Sequence, residues 1–333
     1  MHRRAALLSI LTLATGGVAL PMTAAQAASG PKPVSEEAAD STSEQRDVLK
    51  YWTPAKMEAA QPLNGPAPKT GSKNGQGAPG EPTTGTPWST PPTDGGGPTP
   101  QPQAGNSSGT AWTKDGQITK TTGRVFFTYQ GRNASCSGSA VTSANESTII
   151  TAGHCVKLGG AFHTNWVFVP GYDNGARPYG TWVATKLLTT PQWNSNEDIN
   201  FDVAAAVVAP LQGKTLTDVV GGQGVAFNQA RRQQMYAFGY PAAAPYDGSK
   251  LIYCAGRAFD DFLMSKDHGL TCNMTGGSSG GPWFVGFNET TGTGNLNSVN
   301  SFKYNFAANW MFGPYFGTEA QAVYTTAAST SAL

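Results

Sequence analysis

The stretch Asn273-Met274-Thr275-Gly276-Gly277-Ser278-Ser279-Gly280-Gly281-Pro282-Trp283 sets two serines among four glycines and then runs into an apolar segment. Glycine lets a backbone approach a reacting group closely and takes positive φ without steric cost. A serine in such a loop suits a nucleophile, with neighbouring N–H groups aimed at a developing oxyanion. An ordinary Gly/Ser bend between strands has the same composition, so the rest of the chain must decide.

A second stretch, Thr148-Ile149-Ile150-Thr151-Ala152-Gly153-His154-Cys155, is a β-branched strand ending in a small-residue turn with a histidine beside a cysteine. A histidine pinned there is placed to act as a general base; the alternative is a satisfied structural histidine. Beyond His2 the chain has only His154, His163 and His268, and the last two lie in polar loops. A third stretch, Asn200-Phe201-Asp202-Val203-Ala204-Ala205-Ala206-Val207-Val208, opens a small-residue strand with an acid. A buried, unpaired carboxylate is costly, so an inward Asp202 needs a partner such as a histidine N–H. Asp198 competes for this role and ranks lower, because Asn200 and Phe201 still separate it from the strand.

Chain order then separates hydrolase folds. Gly277-Ser278-Ser279-Gly280-Gly281 also fits the G-x-S-x-G elbow of α/β-hydrolases, which requires a histidine after the serine. No histidine follows Ser279. The order His154, Asp202, Ser279 is that of chymotrypsin.

From about Gly116 onward, short β runs alternate with Asn, Gly, Asp and Pro clusters. Strands are predicted at 124–130, 137–142, 148–151, 166–170, 202–208, 234–240, 251–255, 282–287 and 298–305, with a final helix starting near Thr318. Many short strands without βαβ alternation mean an antiparallel all-β domain, sandwich or barrel.

Upstream, His2-Arg3-Arg4, an apolar run and Ala25-Gln26-Ala27 have the form of a secretory signal over residues 1–27. Residues 28–60 carry a helical patch, with Thr53-Pro54 as N-cap and first position of a short helix, and are expected to be a removable pro-segment. Residues 61–115 are Pro/Gly-rich with almost nothing apolar, and are expected to be a disordered or polyproline-like spacer. The net charge of +1 implies no attraction to nucleic acid or to a membrane once the signal is removed. Four cysteines in a secreted chain argue for disulfides, with three possible connectivities. We pair neighbours, Cys136 with Cys155 and Cys254 with Cys272, each bridge worth about 3 kcal/mol on a chain-entropy estimate. With no C-x-x-C spacing and few histidines, no metal or other cofactor is expected.

Thr151-Ala152-Gly153-His154-Cys155, Phe201-Asp202-Val203-Ala204 and Gly277-Ser278-Ser279-Gly280-Gly281-Pro282 resemble the three signature blocks of trypsin-like serine peptidases, over roughly residues 116–333. The chain particularly resembles the secreted bacterial branch that includes the glutamyl endopeptidases. Tyr51-Trp52-Thr53-Pro54 is similar to pro-segments of secreted actinobacterial relatives. The resemblance implies two perpendicular six-stranded antiparallel barrels, a short C-terminal helix and an active site in the cleft between barrels. It implies His154 as base, Asp202 as the holder of its tautomer, Ser279 as nucleophile, and the N–H groups of Gly277 and Ser279 as oxyanion hole. The expected activity is secreted serine endopeptidase on polypeptides, as a monomer; a catalytically silent binding module is the alternative.

Two departures from the family pattern matter. Ser278 stands where animal relatives carry the acid that receives a new N-terminus, so latency should come from the pro-segment or linker covering the cleft. A chain beginning near Gly116 should then be at least as active as the precursor. Asn273 stands where the trypsin subgroup has its pocket acid, which argues against Arg/Lys specificity. Asn300-Ser301-Phe302-Lys303 is similar to the family's substrate-binding strand. Lys303 is a candidate partner for an acidic P1 side chain, with a solvated surface lysine as the alternative. Asn300 stands where glutamyl endopeptidases usually have a histidine.

Overall fold

The computed structural model describes residues 32–66, 68, 80–93 and 106–332; the signal segment 1–27 and parts of the spacer lie outside them. In chain order the elements are β1 (Val34–Glu37), α1 (Thr42–Tyr51), α2 (Pro54–Glu58), β2 (Gln61–Pro62), β3 (Trp88–Thr90), β4 (Ser107–Ala111) and α3 (Ile118–Thr121). There follow β5 (Thr122–Tyr129), β6 (Arg132–Val141), β7 (Thr148–Thr151), β8 (Lys157–Leu158), β9 (Ala161–Phe162), β10 (Thr164–Pro170), β11 (Trp182–Thr189), α4 (Pro191–Asn196) and β12 (Ala204–Val208). The second half holds α5 (Leu216–Val220), β13 (Gly224–Phe227), β14 (Gln234–Gly239), β15 (Ile252–Arg257), β16 (Phe259–Asp260), β17 (His268–Thr271), β18 (Pro282–Asn288), β19 (Thr293–Val299), β20 (Trp310–Gly313) and α6 (Thr318–Ser329).

The first half closes into an antiparallel barrel, β11-β10-β5-β6-β7-β12 and back to β11. Strand β12 reads Ala-Ala-Ala-Val-Val and is buried at every position. It lacks alternation because both faces are covered, with helix α6 packed against it. The second half is a sheet ordered β3-β13-β19-β18-β14-β15-β4, accompanied by the three strands β16-β17-β20. Cys254 on β15 is bonded to Cys272, just past β17, which ties the two pieces together. The expected barrel pair with a C-terminal helix is therefore present. Its pairing is not wholly antiparallel, since β13–β19 and β2–β6 run parallel.

The expected strands up to 282–287 exist, most with shifted edges, and within residues 116–333 the strands β8, β9, β11, β13, β16, β17 and β20 were missed. The run at 298–305 is in fact the end of β19: from Asn300 the backbone leaves the ladder, and Phe302 keeps a single bridge to Phe312.

Residues 34–66 are integrated with the first barrel. Strand β1 extends β11, pairing Val34 with Thr189 through Glu37 with Lys186. Helix α1 starts at a capping box between Ser41 and Glu44. Helix α2 has Thr53 as N-cap and Pro54 at its first position, as the dipeptide predicted. Val48, Trp52 and Met57 are buried, and the Trp52 indole N–H donates to the Asn165 carbonyl at 2.6 Å.

The spacer requires correction. Its described parts form β2, β3 and β4 and lie against the domain rather than behaving as a disordered tether. The Gly80 N–H donates to Asp198 at 2.7 Å, the Thr318 N–H to the Thr83 carbonyl at 2.9 Å, and Trp88 stacks on Phe227. Such a segment cannot build a core of its own, but its backbone groups pair with edges that the folded domain offers. The folded unit also begins earlier than Gly116. Strand β4 extends β15, and Trp112 packs edge-on to Phe238, Tyr253 and Phe287.

Candidate active site

His154 sits in a single helical turn, Gly153–Cys155, directly after β7. The Cys136–Cys155 bridge ties this turn to β6, with Cα atoms 6.2 Å apart. The small residue before the histidine is a steric need: a Cβ on Gly153 would come within 2.9 Å of Asp202 Oδ1 and 2.8 Å of the Trp193 ring. His163 donates a ring N–H to the His154 carbonyl at 2.9 Å, and its ring stacks on Phe127. Burial pushes the His163 imidazole down to about 4, so it remains neutral as a structural prop. His268 is buried and pushed down to about 3 by desolvation, away from this constellation.

Asp202 follows a helical turn, Ile199–Phe201, and is fully buried. Its Oδ1 accepts the His154 backbone N–H at 2.8 Å and its Oδ2 pairs with His154 Nδ1 at 2.8 Å. Asp198 is spent elsewhere, capping Asn200 N–H with Oδ1 and accepting Gly80 N–H with Oδ2.

Ser279 lies in a loop held by both halves of the molecule. Its carbonyl accepts the Ser137 N–H at 2.7 Å, and the Ser137 hydroxyl donates to the Gly277 carbonyl at 2.9 Å. The Tyr240 N–H donates to the same Ser137 oxygen. Gly277 and Gly280 take φ of +91° and +78°, and a Cβ on Gly280 would lie 2.0 Å from Thr151 Oγ1. Only glycine fits both demands. Ser278 is buried, its hydroxyl donating to the Thr275 carbonyl at 2.7 Å.

The Gly277 N–H, assigned to the oxyanion hole, donates to the Leu63 carbonyl at 3.1 Å, and the Ser279 hydroxyl donates to the same oxygen at 3.3 Å. His154 Nε2 is buried and has no hydrogen-bond partner among the described residues.

The residues expected to bind substrate divide. The Ser301 hydroxyl donates to Asp202 Oδ2 at 2.5 Å, so this side chain serves the acid. Phe302 is buried and stacks on Phe312. Asn273 donates its N–H to the Ser108 carbonyl, and its Oδ1 accepts the Tyr246 hydroxyl at 2.6 Å. Lys303 is partly buried, with Nζ donating to the Ala308 carbonyl. Desolvation pushes its amine down to about 8. Asn300 is wholly buried, its amide spanning the carbonyls of Phe238 and Ser278 and accepting the Trp283 indole N–H. With every group consumed, it is a brace for the serine loop rather than a pocket wall.

Sequence reasoning missed Ser137, Trp193, Leu63 and Asp267. Asp267 is fully buried, with neither oxygen partnered among the described residues. Burial first, and the charge of Asp202 second, hold its carboxyl well above the usual range. Both effects favour its neutral form, which adds no second negative charge beside Asp202. Nothing in its polar surroundings, Ser265-Lys266-Asp267, signals this. The group Cys136, His154 and Cys155 has the closeness of a metal set, but the two sulfurs are joined in the bridge and offer no thiolate.

Solved structures are similar to this chain. A protease, Anisep, from Arthrobacter nicotinovorans is 48% identical, covers 67% of this chain and all of its own, and superposes with a TM-score of 0.63. A thermostable serine protease, AL20, from an extremophilic microorganism is 44% identical over 65% of this chain and all of its own, with a TM-score of 0.61. This chain belongs to the bacterial serine proteases of chymotrypsin fold. A Glu endopeptidase shares the fold at 14% identity and a TM-score of 0.52, covering 68% of this protease and 99% of its own chain. No family model matches the chain. An extracellular metalloprotease of Bacillus subtilis is 30% identical over 82 residues, which is 24% of this protease and 25% of that protein. So short a match carries no activity across.

Proposed function

We propose that the protein is a secreted serine endopeptidase working through His154, Asp202 and Ser279. The observation that carries this is the double grip of Asp202 on His154, within one site with the Ser279 loop. Asp202 holds the Nδ1–H tautomer and leaves Nε2 as the base. With a substrate carbonyl in place, Ser279 Oγ bonds to the carbonyl carbon while its proton moves to His154 Nε2. The N–H groups of Gly277 and Ser279 receive the oxyanion, a role in which one lost donor costs roughly 3–4 kcal/mol of barrier. The imidazolium then returns the proton to the departing amine, leaving an acyl-enzyme that water opens by the same route. Asp202 stabilises the imidazolium.

Secretion is supported by the basic and apolar N-terminus with its A-x-A site, and by two disulfides. Lys303, whose amine donates to the Ala308 carbonyl and is bonded to no carboxylate among the described residues, is the group that would favour acidic substrate side chains. A fluorophosphonate probe applied to the processed protein tests the assignment. Labelling of Ser279 that disappears in Ser279→Ala supports the reading, and an unlabelled processed protein refutes it in favour of a silent binding module.

A further inference from the structure

Resting on the serine-peptidase reading, we propose that the groove between the outer edge of β13 and helix α6, filled here by residues 83–90, is a docking site that takes an extended segment of a polypeptide substrate on the processed enzyme.

The groove is built to hold a main chain. Strand β3 pairs antiparallel with β13, from Phe227 with Trp88 to Val225 with Thr90, and stands at the edge of its sheet. Just before it, Asn228 Oδ1 accepts the Gly85 N–H at 2.9 Å, and the Asn228 amide donates to the Thr86 carbonyl at 3.1 Å. The Thr83 N–H donates to the Glu319 carboxylate at 3.1 Å, and the Thr83 carbonyl accepts the Thr318 N–H at 2.9 Å. Asn228 and Glu319 are buried, whereas the side chains of Thr83, Thr84, Thr86 and Ser89 are exposed. The segment is therefore held by its backbone.

Two positions add selectivity. Trp88 lies against Phe227 and Tyr324, with ring centroids 6.0 and 5.9 Å apart. A Cβ on Gly85 would lie 2.7 Å from Thr318 Cγ2 and 3.2 Å from Asn228 Nδ2. Ladder bonds for affinity and a few side-chain positions for choice are how a sheet edge recognises an added strand.

The platform stands without its occupant. Phe227 also stacks on Phe316 at 5.7 Å, and β13 is paired on its other side with β19. The solved proteases Anisep and AL20 cover 67% and 65% of this chain with all of their own, a share that residues 106–333 alone would fill. Without residues 83–90, β13 is an open edge flanked by the Asn228 amide and the Glu319 carboxylate, which is a template for another strand.

The position of the groove points to substrate as the occupant. Upstream of it, Gly80 donates its N–H to Asp198 at 2.7 Å and accepts the Asn200 amide at 2.6 Å, beside the turn that carries Asp202. A strand leaving the groove at its N-terminal end thus arrives next to the catalytic acid, where a polypeptide being cut also lies.

The test uses the processed protein, its N-terminus read by mass, and a labelled synthetic peptide of residues 80–93, with fluorescence anisotropy as readout. The peptide should bind the processed protein and not the precursor, whose own segment fills the groove. Peptide versions carrying Trp88→Ala or Gly85→Val should bind roughly tenfold more weakly; these changes leave the enzyme itself untouched. A substrate with a scissile peptide joined through a Gly/Ser linker to the N-terminal end of this segment should have a KM roughly tenfold below that of the scissile peptide alone, at the same kcat. Free peptide should remove that advantage without slowing the short substrate. A processed protein that retains residues 83–90, no binding, equal binding of all peptide versions, or equal inhibition of both substrates overturns the docking site. Binding as expected, with neither substrate cut by any form of the protein, refutes the peptidase reading instead.

Discussion

Both carboxylate oxygens of Asp202 are spent on His154: Oδ1 accepts its backbone N–H and Oδ2 its ring Nδ1, each at 2.8 Å. The acid therefore positions the turn and fixes the tautomer at once. Asp202→Asn retains size but can place a donor where an acceptor is needed, favouring the wrong tautomer. A fall in kcat of about four orders of magnitude is expected on a peptide ester with the processed protein. An unchanged kcat would remove Asp202 from the mechanism.

Ser301 acts through the same acid. Losing its hydroxyl in Ser301→Ala leaves Asp202 short of one donor and should lower kcat about tenfold, roughly 1.4 kcal/mol of barrier, with little change in KM. A rise in KM at constant kcat would instead make it a substrate contact.

Lys303 gives a pH signature. Its amine loses charge as pH rises through about 8, so any attraction to an acidic P1 residue is present below that pH and fades above it. The ratio of kcat/KM for Glu against Phe peptides should fall between pH 7 and 9, and Lys303→Met should flatten the curve. A ratio indifferent to both pH and substitution assigns Lys303 to the loop alone, as its bond to Ala308 would suit.

Asp267 predicts a stability signature of definite sign. Its carboxyl is held well above 3.8 in the fold, so the native state keeps a proton that the unfolded chain releases. Stability from this group is present below pH 3.8 and is lost as pH rises, by up to about 1.4 kcal/mol per pH unit, towards its folded value. Asp267→Asn should therefore raise Tm more at pH 8 than at pH 4.5. An equal shift at both pH values would mean that the group is ionised in the fold.

The start of the domain is also testable. A chain beginning at Gly116 lacks β4 and Trp112, whereas one beginning at Asn106 keeps both. Trp112→Ala alone should cost about 3 kcal/mol. The Gly116 form should melt well below the Asn106 form, reversing the expectation drawn from composition. Equal melting temperatures would restore the later boundary.

Local chemistry determined much of this protein from sequence alone. Small residues before His154, positive-φ glycines around Ser279 and the lack of any later histidine are properties of short stretches, so the order of the site residues and the all-β class were legible. The Thr53-Pro54 helix start was legible for the same reason. Tertiary structure decided what depends on residues far apart in the chain. Ser301 bonds to Asp202 across 99 positions and Ser279 to Leu63 across 216. Asp267 owes its raised carboxyl to burial that its polar neighbours do not foretell. Composition gave residues 61–115 little to bury, yet Trp88 and Trp112 pack on aromatic rings of the domain. It could not report that backbone N–H and C=O groups, which every sequence carries alike, would find partners on the edges and in the cleft of a domain already folded.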